Sequence, residues 1–460
     1  MSKASPSLSL SLPQSQQLWL ALSGGLDSVV LLDLVVQLCQ QERRSLKVLH
    51  IHHGLSPNAD QWAKHCKDLC LAYSSMVEIE CQVHRVQLRQ KGSIEEQARL
   101  ARYQVFEQSL ETDDLLLMAH HGDDQAETML LRLMRGAGSQ GLSGMPQQRL
   151  LGKGTLYRPL LSYSRQQLEH YAQAQNLEWV EDESNLSLNF DRNYLRHQIM
   201  PVLKQRWSRA TELFCRTSQN LSDTAELNRD LAMIDLQSVL KTDKGLYAGE
   251  VVCCQALEKL KEIRQVNLLR YWFQSQGMPE LEHKQWQIIF QEVLAARIDG
   301  EPCFSWQGYE LRRFRQKLYL LTPDRIPPKD RDVGLVQVVD LVKNAVKDDV
   351  IYLPLVMGRL KLEKKEALVC SGLALPDNGR LEVRYRQGGE SIVLENRGRR
   401  AVKKLLQESD IPPWLRPSLP MLWWVQNDGS VQLMAVSDLW LDKTFLAKKN
   451  ATGWLLSFEL

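Results

Sequence analysis

An apolar run of strand character, Leu18-Trp19-Leu20-Ala21-Leu22, stops at Ser23-Gly24-Gly25, and beyond Leu26-Asp27-Ser28 an apolar helical stretch begins at Val29. A strand that turns through glycines straight into a helix leaves backbone N–H groups unpaired. It also aims the positive end of the helix at one point, a geometry that suits phosphate oxygens. Ser23 and Ser28 add hydroxyls, and Asp27 adds a carboxylate able to hold Mg²⁺ beside a polyphosphate. No Gly-Lys-Ser/Thr follows, so the loop is not of the Walker type. The first domain is thereby constrained to an α/β design with its ligand at the carboxyl end of a strand.

With 460 residues the chain has room for two to four domains, and a formal net charge of +2 argues neither for nor against nucleic acid as a partner. No apolar run is long enough to span a membrane. Residues 1–17, Ser-rich with one lysine, read as a loose tail. The cysteines (39, 66, 70, 81, 215, 253, 254, 303 and 370) are scattered and form no C-x-x-C, so neither an iron–sulfur cluster nor a zinc site is expected. Such a set fits a reducing compartment, by default the cytoplasm.

Strands alternate with helices along the next stretch. Lys47–His52 alternates like a buried strand, Ser56-Pro57 reads as a helix start, Met76–Val83 is a third strand and Asp114–Met118 a fourth. The alternation implies a doubly wound parallel sheet. His50 and His53 fall at a strand end beside the loop, where nucleotide contact competes with a purely structural role. Trp62, Cys66, Leu69, Cys70 and Tyr73 keep helical spacing, which makes both cysteines core residues. Ser93 and Glu96 form a capping-box pattern ahead of Arg99 and Arg102, one turn apart.

The fourth strand ends in Ala119-His120-His121-Gly122-Asp123-Asp124-Gln125-Ala126-Glu127-Thr128. On a helix, Asp123 and Glu127 are i, i+4 and Asp124 and Glu127 are i, i+3, so the carboxylates should share a face. The helix dipole alone would favour them, but the two preceding histidines point to a metal or acid–base site. Leu130, Leu131, Leu133 and Met134 read as core, and the four glycines between Arg135 and Gly144 as a mobile loop over the site.

Ser-Gly-Gly-x-Asp-Ser resembles the loop of ATP enzymes that release AMP and pyrophosphate. His-His-x-Asp-Asp-x-x-Glu-Thr, then Leu-x-Arg-x-x-Arg-Gly, narrow the likeness to the bacterial tRNA(Ile)-lysidine synthetases. The downstream signatures agree: Arg158-Pro159-Leu160-Leu161, a helix capped by Ser164, Asp182-Glu183-Ser184-Asn185 and Arg192-Asn193-x-x-Arg196. Where the family often has Gly-Asn before its Glu-x-x-Ala-Arg helix, this chain has Gly92-Ser93, which leaves Arg99 as the nucleotide contact of that segment. The resemblance implies ATP activation of cytidine 34 in the CAU anticodon of an isoleucine tRNA. Attack by the ε-amine of L-lysine then gives lysidine, AMP and pyrophosphate. It implies ATP contacts from Ser23, Gly24, Gly25, Leu26, Asp27, Ser28, His50, His53 and Arg99, with Asp27 on Mg²⁺. Asp123, Asp124, Glu127, Arg192 and Arg196 would serve the chemistry, the carboxylates binding either metal or lysine, and His121, Asn185 and Asn193 the substrates. A tRNA thiolase sharing the loop is the alternative, but no cysteine lies in a site motif. A nucleotide-gated RNA-binding module without chemistry would not need the intact Asp27 and carboxylates.

Beyond Val202 the apolar positions keep helical spacing, Glu280–Arg297 reads as a further helix, and 303–321 as a β-meander. Pro327-Pro328 mark a linker over 324–339. The expected order is thus an ATP-binding domain (18–215), a mainly helical middle domain with the meander (216–323) and a small β-rich C-terminal domain (340–460). In the last, Arg397, Arg399, Arg400, Lys403 and Lys404 are interleaved with aromatic residues in a pattern suited to RNA phosphates and bases.

Overall fold

The computed structural model describes residues 8–54, 56–87, 94–183, 187–242, 249–297, 300–327, 337–339, 350–355, 359–366, 372–376, 379–409, 411–447 and 450–459. The chain divides into two compact units, Met1–Leu227 and Asn228–Leu460. Ser93, Ser184 and Asn185 lie outside the described residues.

The first unit is built on β1 (Leu18–Ala21), α1 (Leu26–Glu42), β2 (Leu46–His52), α2 (Ala59–Tyr73), β3 (Ile79–Arg85), α3 (Ile94–Ser109), β4 (Leu115–Leu117), α4 (Gly122–Met134), α5 (Ser139–Leu142), β5 (Gln148–Leu151), β6 (Gly154–Tyr157) and α6 (Arg165–Ala174). The strand order is β3-β2-β1-β4-β6-β5, parallel throughout except for β5 on the edge. The pleat sends alternate side chains to opposite faces. Leu18, Leu20, Leu115 and Leu117 join a core with α1 and α6, whereas Trp19 and Leu116 join Phe106 and Leu110 of α3 on the other face. A sheet covered on both faces explains why β1 and β4 read as continuous apolar runs. Cys66 and Cys70 are buried in the first of these cores, as their spacing predicts.

Several expectations change. Residues 8–17 are not a loose tail: Leu8, Leu10 and Leu12 pack on the core, Ser9 exchanges hydrogen bonds with the Tyr163 hydroxyl, and the Gln16 N–H donates to the Asp113 carbonyl. Ser56-Pro57 does not start α2. The Ser56 hydroxyl accepts from the Asn58 N–H in a turn, and the helix begins at Ala59. Leu133 and Met134 are exposed, because the buried face of α4 is the polar one at its start, with Asp123, Asp124, Gln125 and Glu127 inside. The glycine-rich 135–144 stretch is tied down by Arg132 Nη1, which donates to the Gly141 and Gly144 carbonyls at 2.6 and 2.7 Å.

After α6 come α7 (Asp191–Tyr194), a π-helical turn (Leu195–Ile199), α8 (Met200–Arg206) and α9 (Ala210–Val239). Pro201 has no N–H to return to His197, and the ladder slips so that Met200 N–H reaches the Leu195 carbonyl. Residues 216–227 continue α9 within the first unit, where the Ser218 hydroxyl donates to the Ser143 carbonyl.

In the second unit the predicted meander forms as Cys303–Trp306, Tyr309–Phe314 and Lys317–Leu321 in one antiparallel sheet. The expected 280–297 helix is shorter, His283–Ile288, and ends in a π turn at Ile289–Leu294. Gln337–Val339, placed in the linker by its surroundings, is a strand paired with Leu381–Val383. Val251, Tyr319 and Leu321 share a core with Val402, Leu405, Leu406 and Trp414, so the meander and the C-terminal module pack together within this unit. No helix among the described residues is long and apolar enough to cross a membrane.

Candidate active site

The strand order reverses between β1 and β4, whose neighbours lead away on opposite sides, and open α/β sheets bind ligands at that crevice. The glycine loop leaves β1 there and the His-His-Gly-Asp-Asp stretch leaves β4.

In the loop, the exposed Ser23 and buried Ser28 hydroxyls meet at 3.0 Å, and the Ser23 and Gly24 N–H groups donate to Ser28 Oγ at 3.2 and 3.1 Å. Leu26 is buried and pins α1 to the core. Gly24 has φ +87°, and a Cβ there would lie 3.1 Å from Val180 Cγ2 and 3.2 Å from Cys66 Sγ. Only glycine suits that backbone and that gap. Cys66 therefore lies directly under the loop, a proximity that its sequence spacing does not reveal. Burial pushes its thiol up to about 12, so it is an inert packing group.

Asp27 Oδ2 accepts from Arg165 Nη1 at 2.6 Å and lies 3.6 Å from His121 Nε2. Its Oδ1 is buried with no hydrogen-bond partner. An orphaned carboxylate oxygen beside a phosphate-type loop fits Mg²⁺, which is usually held by one or two carboxylates plus substrate phosphates.

The carboxylates of α4 do not act as one cluster. Asp124 accepts from Arg192 at 2.9 Å and Arg196 at 3.1 Å, and Glu127 from the Nε atoms of both arginines at 2.8 Å. Arg192 on α7 and Arg196 in the π turn stand about one turn apart, so two guanidinium forks face two carboxylates. Asp123 points elsewhere, to Lys204, to Thr211 Oγ1 at 2.9 Å and to the Arg165 N–H at 2.8 Å. The Asp124 carboxyl, which burial alone would raise, is held well below its usual range by His121 and Arg192. His121 caps α4, its N–H donating to Asp124 Oδ2 at 3.0 Å. Burial disfavours its charge, but Asp124, Asp27 and Asp123 outweigh that and hold it above the ordinary histidine range.

His53, His120 and His50 are lowered for the converse reason. Burial, with Arg102 second, lowers His53 to about 4, and burial lowers His120 to about 4 despite Asp124. Burial also lowers His50, whose Nδ1 faces the Leu22 carbonyl at 2.8 Å. His50 thus braces the end of β1 from inside the sheet. Arg99 lies over the Tyr103 ring at 5.7 Å. Asn193 Nδ2 donates to the Ser187 carbonyl at 2.8 Å.

Arg165, Lys204 and Thr211 escape the sequence reading. Each contacts a carboxylate predicted to be functional, from 42 to 138 residues away in the chain. The one local hint is Ser164, whose capping box with Gln167 sets Arg165 at the first turn of α6. In the second unit, Arg397, Arg399, Arg400, Lys403 and Lys404 are all exposed. Arg399 and Arg400 lie on the strand Gly398–Ala401, and the lysines on the outer face of a helix whose Val402, Leu405 and Leu406 are buried.

Three family models match this chain: a PP-loop domain over residues 4–203, a TilS substrate binding domain over 253–319 and a TilS substrate C-terminal domain over 381–458. The tRNA(Ile)-lysidine synthase of Coxiella burnetii is 38% identical over 440 residues, covering 95% of this chain and 91% of that one. That of Serratia proteamaculans is 37% identical over 458 residues (99% and 98%), and that of Xanthomonas axonopodis pv. citri 39% over 441 (94% of each). Among solved structures, the U34-tRNA thiolase NcsA from Methanococcus maripaludis with its [4Fe-4S] cluster aligns at TM-score 0.38 and 16% identity, over 45% of this chain and 71% of that one. A likeness of that size carries no argument about activity.

Proposed function

From the premise that this chain belongs to the tRNA(Ile)-lysidine synthase family and is an enzyme of that type, we propose that it joins L-lysine to C2 of cytidine 34 in the CAU anticodon of isoleucine tRNA, in the cytoplasm. In the first step O2 of the cytidine attacks the α-phosphorus of ATP and pyrophosphate leaves. In the second the lysine ε-amine attacks C2, loses a proton, and AMP leaves with the oxygen.

The observation that carries this reading is the meeting of two motifs at the β1/β4 crevice: the Ser23–Ser28 loop, and the Asp124/Glu127–Arg192/Arg196 network. Gly24, Gly25, Ser23 and Ser28 cradle the departing phosphates. Asp27 would hold Mg²⁺ through Oδ1 while Arg165 and His121 fix Oδ2; the ion, when bound, offsets the polyphosphate charge. Arg192 and Arg196, locked by their carboxylates, stabilise the negative charge of the adenylated cytidine without having to reorganise. Arg397, Arg399, Arg400, Lys403 and Lys404 contact tRNA phosphates and take no part in the chemistry. The deciding assay incubates the protein with ATP, radiolabelled lysine and transcribed isoleucine tRNA. Label should enter the RNA with one pyrophosphate released per lysine; ATP-dependent sulfur transfer to the RNA without lysine uptake would sink the reading.

A further inference from the structure

Six residues beyond Asp27 on α1, Asp33 carries a carboxylate that the chemistry leaves unused, and it is buried. A carboxylate out of water needs donors, and Asp33 finds them on α2, on α6 and on its own helix. Its Oδ1 accepts from the Tyr73 hydroxyl, at the end of α2, at 2.8 Å. Its Oδ2 accepts from the Tyr171 hydroxyl on α6 at 2.7 Å and from Gln37 Nε2 at 2.8 Å. Gln37 Nε2 also donates to the Tyr171 oxygen at 3.1 Å. Burial, then Asp33 itself, pushes both phenols up, so they stay protonated donors.

The spacing of these contacts matches that of the site. Asp27 meets Arg165 and Asp33 meets Tyr171, so both helices advance six residues from one contact to the next. Six residues are about 9 Å of helix rise. The two helices therefore run side by side in the same direction and are joined at both ends of that interval. Around the joints the packing is apolar, with Leu168 and Ala172 of α6 in the core that α1 lines. Apolar contact is non-directional and opposes sliding along the axis only weakly, whereas a short hydrogen bond has a preferred angle and length. Asp123 supplies one further constraint by accepting from the Arg165 N–H at 2.8 Å. That contact grips the first residue of α6 and does not set how the helix lies beyond it.

We propose that Asp33 is a positioning residue for the reaction: by holding Tyr171 it fixes α6 in the axial register on α1 that keeps Arg165 on Asp27. It touches no substrate and acts through Arg165 alone. The inference rests on the functional reading only in taking Asp27 as a carboxylate of the ATP site.

The test uses the full chain. Tyr171→Phe keeps the buried ring and removes its hydroxyl, while Tyr73→Phe removes the other hydroxyl from the same carboxylate without touching α6. Both should lower the melting temperature alike. Only Tyr171→Phe should slow pyrophosphate release at saturating ATP, lysine and tRNA, by about tenfold, because a small misplacement at the site is costly to the rate. KM for lysine should not move. In an Arg165→Gln background the same change should slow release by less than about twofold. Denaturant unfolding of wild type, the two single variants and the double variant gives a readout free of activity. Tyr171 and Arg165 share no hydrogen-bond partner among the described residues. Independent sites would add, whereas a shared register should make the unfolding constants depart from additivity by about threefold. Equal slowing by the two phenylalanine variants, slowing by neither, equal slowing with and without Arg165, or additive unfolding each overturns the positioning role and leaves Asp33 a structural clamp. A wild-type chain that releases no pyrophosphate overturns the functional reading instead, and the unfolding measurements then decide the proposal alone.

Discussion

Two clusters of positive charge, one in each unit, are held in opposite ways. In the first, Arg192 and Arg196 are two-thirds buried and each faces both Asp124 and the almost inaccessible Glu127. In the second, Arg397, Arg399, Arg400, Lys403 and Lys404 stand in solvent, and among the described residues no carboxylate pairs with them. Buried pairs are weakly screened and geometrically fixed, which suits stabilising charge at one atom. Solvated charges act over a Debye length and respond to salt, which suits holding a polyanion. The roles proposed above follow this contrast, and it can be broken by experiment.

The largest effect is expected at Asp27. Asp27→Ala should drop pyrophosphate release below a tenth of wild type while tRNA affinity stays close to normal; a variant turning over faster than that would remove Asp27 from the site. Glu127→Ala should come next. It strips one carboxylate from a buried network and leaves two guanidinium groups sharing Asp124, a class of change that costs about 3–5 kcal/mol. Denaturant unfolding should register that loss, whereas the same measurement on Lys403→Ala should register almost none. An equal, small effect at both positions would erase the distinction between the two regions.

Neutralising Arg397, Arg399, Arg400, Lys403 and Lys404 together should weaken tRNA binding and flatten its salt slope by about 0.7–0.9 for each phosphate that is no longer neutralised. ATP affinity, measured in parallel, should not move. An unchanged slope would make the cluster mere solvation of the Val402–Leu406 core. The smallest effect concerns acid. His120 and His53 titrate near 4 in the folded chain against 6.5 ordinarily. Between those values the unfolded chain binds protons that the folded chain refuses, so stability falls as pH drops from about 6.5 towards about 4. His120→Gln should shallow that decline in melting temperature, and an identical decline would show that His120 does not contribute to it.

The candidate site was legible in the sequence wherever its residues are local. The Ser23–Ser28 loop and the His120–Glu127 stretch are short, and a strand–turn–helix junction imposes their geometry on itself. Periodicity likewise placed Cys66 and Cys70 in the core. It failed on α4, where Leu133 and Met134 are exposed, because helical spacing shows that a face exists but not which face the rest of the fold buries. Residues 8–17 misled for a related reason: serine-rich composition suggests a tail, but Leu8, Leu10 and Leu12 have a core to pack on only once α1 and α6 are assembled.

By itself, then, the order of residues determined the phosphate-type loop, the parallel alternation of the first unit and the identity of the charged groups. Neighbours within a few residues set those features, and chain connectivity guarantees such neighbours. The tertiary structure alone decided which charge meets which. Asp123 could have joined Asp124 and Glu127, yet it faces Lys204 and Thr211 instead. Arg165 reaches Asp27 across 138 residues because α6 packs against α1. Ion pairing falls steeply with distance and depends on burial, and both are properties of the packed chain that no local spacing contains.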